Sequence, residues 1–123
     1  MNLSRLGTGL CALLLMSACG GGDSSPAPSP TSSSGTNVLI PMNAQGLGSN
    51  AYSPNPVTVT AGTTVTWVNN DTTAHTSTSD TSGAFDTGTI AAGSSRSVTL
   101  QNKGTFPYHC TFHPGIVGTV VVQ

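Results

Sequence analysis

From residue 57 onward the chain alternates between apolar and polar positions. "VTVT" at 57–60 sets Val57 and Val59 against threonines, and "TVTWV" at 64–68 puts Val65 and Trp67 on one face, the period of two that a half-buried β-strand requires. The alternation returns in "SRSVTL" at 95–100, in "TFPYHC" at 105–110 and in "GTVVVQ" at 118–123, and "NVLIPM" at 37–42 reads as an opening strand. Ala61 and Gly62 predict a hairpin turn between the runs on either side of them, and "NKG" at 102–104 predicts the next turn. Pro107 has no N–H to give to a ladder, which predicts an edge strand or a bulge there. The stretch 77–92, rich in Ser, Thr and Gly, offers one short strand at 87–90. No segment shows a helical stripe. Seven or eight short strands without helical spacers predict an all-β domain, an antiparallel β-sandwich or barrel.

The chain before this pattern reads differently. Residues 1–18 carry Arg5 and then an apolar run from Leu10 to Met16, the layout of a secretory signal and too short to span a bilayer. The ending "LMSAC" resembles the bacterial lipobox, which makes Cys19 the expected site of lipidation and the first residue of the mature chain. Gly20, rather than Asp, after that cysteine resembles lipoproteins sent to the outer membrane, so the periplasmic side of the cell envelope is the expected location. Residues 19–36, including "GGGDSSPAPSPTSSSGT", contain no large apolar side chain, so they cannot offset the entropy of being ordered and read as a flexible tether. The domain is expected over 37–123, a span of 87 residues. A domain that small buries roughly 60–65% of its unfolded surface, and a metal would reinforce its thin core.

Charge narrows the partners. The expected domain holds Asp71, Asp80, Asp86, Arg96 and Lys103 and no glutamate. It offers no basic stripe for nucleic acid and no strong field for steering a charged partner. Contact with a membrane is expected only through the lipid, and the domain is expected to be a monomer. Cys11 belongs to the cleaved segment and Cys19 to the lipid, which leaves Cys110 as the lone thiol of an exported domain. Without a disulfide partner such a thiol is either buried or bound to something.

Three histidines accompany it: His75, His109 and His113. If Tyr108 and Cys110 share one face of a strand, His109 points to the other and cannot reach the thiol. His113 follows Cys110 by three residues in a turn marked "HPG", and His75 follows the strand that contains Trp67. A His₂Cys set is the donor set of a blue-copper site.

At this point the sequence resembles the cupredoxin family, in particular plastocyanin and amicyanin, and the likeness covers almost the whole expected domain. "VTWVNNDTTAH" is similar to the family strand that leads to its first histidine ligand, with the amicyanin step of eight residues from Trp67 to His75. "GTFPYHCTFHPGIVGTVVV" is similar to the ligand loop "GTYDYHCTPHPFMRGKVVV". The resemblance implies a Greek-key β-sandwich, with His75, Cys110 and His113 as ligands to one copper that cycles between Cu(I) and Cu(II). It implies that Asn69 and Thr111 pair with each other across the site and support the sulfur. The family's weak axial methionine falls on Ile116, or on Gly118 by plastocyanin-like spacing, and neither side chain carries sulfur. The site is therefore expected to have three protein ligands, with the carbonyl of Ala74 as a distant fourth donor, and a raised reduction potential.

The resemblance implies an electron carrier in the cell envelope rather than an enzyme, with no acid or base beside the site. Redox proteins are expected to dock on an apolar rim of Leu47, Pro114, Gly115 and Ile116 around His113. A copper carrier or storage protein would use the same ligands. A Cys–His hydrolase would need an oxyanion site that nothing in the chain supplies, and a metal-free structural lipoprotein is the plainest alternative.

Overall fold

The structure, a computed structural model, describes residues 35–123; the signal segment, Cys19 and the tether up to residue 34 lie outside the described residues. Seven strands form: β1 (Gly35–Ile40), β2 (Val57–Val59), β3 (Thr63–Asn69), β4 (Thr78–Ser79), β5 (Ser95–Leu100), β6 (Gly104–His109) and β7 (Val117–Val122). Short 3-10 turns sit at Ala44–Gly46 and Gly48–Asn50. Two sheets, ordered β1-β3-β5 and β2-β7-β6-β4, face each other as a β-sandwich.

Both sheets are mixed rather than antiparallel, because β1 runs parallel to β3 and β2 parallel to β7. The turn at Ala61 and Gly62 is not a hairpin. Ala61 N–H donates to Gln123 O beside one sheet and Gly62 N–H to Leu100 O beside the other, so the turn carries the chain across the sandwich. Gly62 does this with φ of 91°, a conformation that favours glycine. The link through Asn102 and Lys103 crosses between sheets in the same way. Alternation requires only that each strand have one apolar face, and two strands facing each other satisfy it as well as two side by side. Among the described strands, β6 and β7 are the consecutive pair that hydrogen-bond directly.

Other boundaries shift for local reasons. Gly35 and Thr36, assigned to the tether on composition, pair with Thr64 and Val65, because a backbone ladder needs no apolar side chain. β1 stops at Ile40, before Pro41. No strand forms at 87–90, where the isolated bridge His75–Ile90 occurs, with a second, Thr78–Asp86, just before it. Pro107 lies in β6, which has β7 and β4 on its two sides. Its carbonyl accepts from Asp80 N–H just beyond the end of β4. The nitrogen of a strand residue points to the same side as its carbonyl, so the missing donor is lost where β4 has already ended.

The core lies between the sheets. Val38, Ile40, Val65 and Trp67 point inward from one side, and Val57, Val59, Tyr108, Val120 and Val122 from the other. Each such side chain stabilises the fold by roughly 1.5–3 kcal/mol. On the outer face of β3 and β5, Thr64 pairs with Thr99 at 2.9 Å and Thr66 with Ser97 at 2.7 Å.

Tyr108 is the centre of the aromatic packing. Its ring centroid lies 4.6 Å from Tyr52, 5.7 Å from Trp67 and 5.7 Å from Phe85. Trp67 Nε1–H donates to its hydroxyl at 3.2 Å. Burial pushes the phenols of Tyr52 and Tyr108 above their ordinary range.

Gly118 stands opposite Tyr108 in the β6–β7 register. A Cβ there would fall 2.5 Å from Tyr108 Cζ and 2.6 Å from its hydroxyl oxygen, and the ring is enclosed by three others and cannot retreat. Gly118→Ala is therefore expected to destabilise the domain by about 1–3 kcal/mol, the cost of overpacking. Denaturant unfolding of the two proteins measures this, and equal midpoints would contradict it.

Candidate metal centre

The parity of β6 decides which side chains meet. Tyr108 points inward and Cys110, just past the strand, continues that face and is buried as a free thiol. His109 points the other way, is partly exposed, and its Nδ1 pairs with Asp80 Oδ1. The hairpin loop then closes on itself: Cys110 N–H donates to Ile116 O at 3.1 Å and Ile116 N–H to His113 O at 2.8 Å. This closure turns half-buried His113 back toward Cys110. His75 arrives from the other sheet, after β3. Its backbone exchanges both hydrogen bonds with Ile90, at 3.1 and 2.7 Å, and its side chain is fully buried.

The three donors converge. Cys110 Sγ lies 3.7 Å from His75 Nδ1 and 3.9 Å from His113 Nδ1, and the ligand atoms of the three residues lie within 4.8 Å of one another. Bonds of about 2.0 Å to nitrogen and 2.3 Å to sulfur, opened to about 110–120°, separate two such donors by about 3.5–3.7 Å. A small ion therefore fits among these atoms with little movement of the chain. Thr76 N–H donates to Cys110 Sγ at 3.3 Å, which suits a thiolate.

The comparisons with known proteins agree with this geometry. The model of the cupredoxin-like domain family matches residues 11–122. The chain belongs to the cupredoxin family. Among solved structures it is similar to a purple cupredoxin from Nitrosopumilus maritimus, at 29% identity and a TM-score of 0.65, over 72% of this chain and 99% of that one. It is also similar to a Cu(I) amicyanin carrying a methionine-to-alanine substitution, at 27% identity and a TM-score of 0.60, over 73% of this chain and 83% of that one. An oxidised amicyanin with methionine replaced by leucine matches at 27% identity and a TM-score of 0.58, over 72% of this chain and 81% of that one.

Against the cupredoxin pattern, two supporting contacts differ from those expected. Asn69 and Thr111 do not pair. Asn69 Nδ2–H donates to Thr73 O at 2.8 Å and Ile90 O at 3.0 Å, while its Oδ1 accepts from Asp71 N–H at 2.9 Å. Both of its amide hydrogens are directed at the loop before His75 and at Ile90, and none reaches Thr111. That role falls to Thr76, whose Oγ1 accepts from Thr111 N–H at 2.8 Å and lies 3.2 Å from Thr111 Oγ1.

The second difference is Asp71, which sequence reasoning missed. Its Oδ2 lies 2.8 Å from His75 Nε2, and both side chains are buried. The carboxylate also accepts from the N–H groups of Asn43, Ala44 and Thr72 and from the Thr73 hydroxyl. The hydrogen bond to His75, aided by the donors from Asn43, Thr72 and Ala44, holds its carboxyl far below the usual carboxylate range in spite of burial. The expectation of no acid beside the site therefore fails, although this one touches the far edge of the imidazole. A clue lay in its place, four residues before His75 in a domain with few charges.

Of the two axial positions, Gly118 is taken up by the packing under Tyr108, while Ile116 is buried and closes the ligand loop. Ile116 consequently does not belong to the exposed rim. Leu47, Pro114 and Gly115 are exposed as expected, and Phe112 and Val117 join them. Ala74, directly before His75, is half-buried.

Thr76→Val keeps the shape of the side chain but leaves Thr111 N–H without its acceptor. It is expected to cost about 1 kcal/mol or more in stability and to loosen the contact between the two ligand-bearing loops. Denaturant unfolding and hydrogen exchange at Thr111 N–H report on it, and unchanged protection of that amide would refute the assignment.

Proposed function

We propose that this protein is a type 1 copper electron-transfer protein that passes single electrons between redox partners of the cell envelope. The observation that carries the reading is the convergence of two imidazole nitrogens and one thiol sulfur within 4.8 Å of one another. When bound, copper supplies a one-electron Cu(I)/Cu(II) couple, and a His₂Cys donor set is the one that suits it. The protein's part is to hold the donors still. Ile90 fixes the backbone of His75, the Ile116 carbonyl and amide fix the ends of the loop, and Thr76 N–H donates to the sulfur. A structural zinc site would ordinarily bring a fourth protein ligand, and the cluster among the described residues offers three. In this reading Ala74 O is at most a distant donor.

His113 is half-buried at the surface and is the route by which the electron leaves. The exposed apolar groups of Leu47, Phe112 and Pro114 suit short-lived docking of a redox partner, on contact areas below roughly 1,200 Å². Lipid on Cys19 would keep the monomeric domain on the periplasmic side of the outer membrane.

Adding Cu(II) to the purified protein is expected to give an intense visible band from thiolate-to-copper charge transfer, and Cys110→Ser is expected to abolish it. A colourless protein would refute the reading. Ile116→Met adds a weak sulfur donor that favours the oxidised ion, so voltammetry should show a lower reduction potential than in the natural protein. An unchanged or higher potential would remove Ile116 from the axial position.

A further inference from the structure

Asp71 has no cationic side chain to balance it. Its partners are His75, three backbone N–H groups and the Thr73 hydroxyl. The ion pairs among the described residues are His75–Asp71 and His109–Asp80, with no Lys or Arg in either. An ionised carboxylate only accepts hydrogen bonds, so the His75 nitrogen that faces it has to donate. That nitrogen is Nε2, at 2.8 Å. The proton of neutral His75 then sits on Nε2, and the lone pair of Nδ1 is left facing Cys110 Sγ, 3.7 Å away.

The same carboxylate holds more than the imidazole. Its two oxygens take the N–H groups of Asn43 and Ala44 at the head of the first 3-10 turn, at 3.0 and 3.2 Å. Asn43 sits there in the left-handed region with φ of 61°, and Leu47 N–H closes the turn onto Ala44 O. The turn that presents Leu47 and the buried histidine therefore share one anchor.

We propose that Asp71 is a positioning residue of the metal centre: it selects the His75 tautomer that leaves Nδ1 free to bind, and its negative charge favours Cu(II) over Cu(I). The charge acts against the axial isoleucine, so the potential of the centre is a balance between the two. The statement about copper rests on the function proposed above, whereas the statement about the tautomer holds for the metal-free protein.

Nitrogen-15 spectra of the imidazoles in the metal-free natural protein should show His75 as the Nε2–H tautomer, and a proton found on Nδ1 overturns the proposal without any variant being made. With copper bound, Asp71→Asn should weaken Cu(II) about tenfold or more, the usual size of such an effect, and Cu(I) less. The midpoint then rises, by about 59 mV for each tenfold change in the ratio of the two affinities. A folded Asp71→Asn protein that keeps its thiolate band and its potential overturns the role of the charge. If Asp71→Asn does not fold, the tautomer of the natural protein decides. Failure of the natural protein to take up copper refutes the function proposed above and leaves the tautomer result standing.

Discussion

A carboxylate buried without a cation has to be surrounded by hydrogen-bond donors, or its charge would cost more than a small domain can tolerate. Asp71 meets that requirement by drawing on the start of the 3-10 turn at Asn43 and Ala44, on its own neighbours Thr72 and Thr73, and on His75. These donors come from separate stretches of chain, so satisfying one charge arranges one end of the sandwich. Asn69 extends the arrangement: it receives Asp71 N–H and donates to Thr73 O and Ile90 O, and Ile90 in turn grips the backbone of His75.

A second set of contacts joins the loop after β3 to the loop after β6. Thr76 contributes its N–H to the cysteine sulfur and its hydroxyl to the backbone of Thr111, so one residue supports both the ligand and the loop that carries it. Beneath this lies the aromatic packing around Tyr108, and the Tyr52 hydroxyl ties it upward by donating to Thr76 O. A ligand set resting on a packed core and on two fixed loops has little freedom to rearrange, which is the mechanical property that an electron carrier of the kind proposed requires.

Much of this was legible in the sequence. Alternation identifies the faces of β3, β6 and β7, and strand parity alone separates His109 from Cys110. It did not say which strand lies beside which, because the pattern is blind to whether a turn stays in one sheet or crosses to the other; hence the misread turn at Ala61 and Gly62 and the unforeseen parallel pairs. The ligand-bearing motifs brought His75, Cys110 and His113 to one place by likeness to a family. Their supporting contacts were less legible. Asn69 and Thr111 stand where a family pattern would pair them, but side-chain hydrogen bonds depend on loop geometry, and here the threonine after His75 and the aspartate before it took the roles. Gly118 could be named from spacing, yet its reason for being glycine is a ring from the neighbouring strand.

β1 runs parallel to β3, with Gly35 beside Thr64 and Ile40 beside Asn69. The cluster of His75, Cys110 and His113 gathers at the Asn69 end, so β1 starts at the opposite end, with its length, about 20 Å at the usual rise per residue, lying between. A partner that meets the cluster's end of the sandwich therefore leaves the start of β1 uncovered.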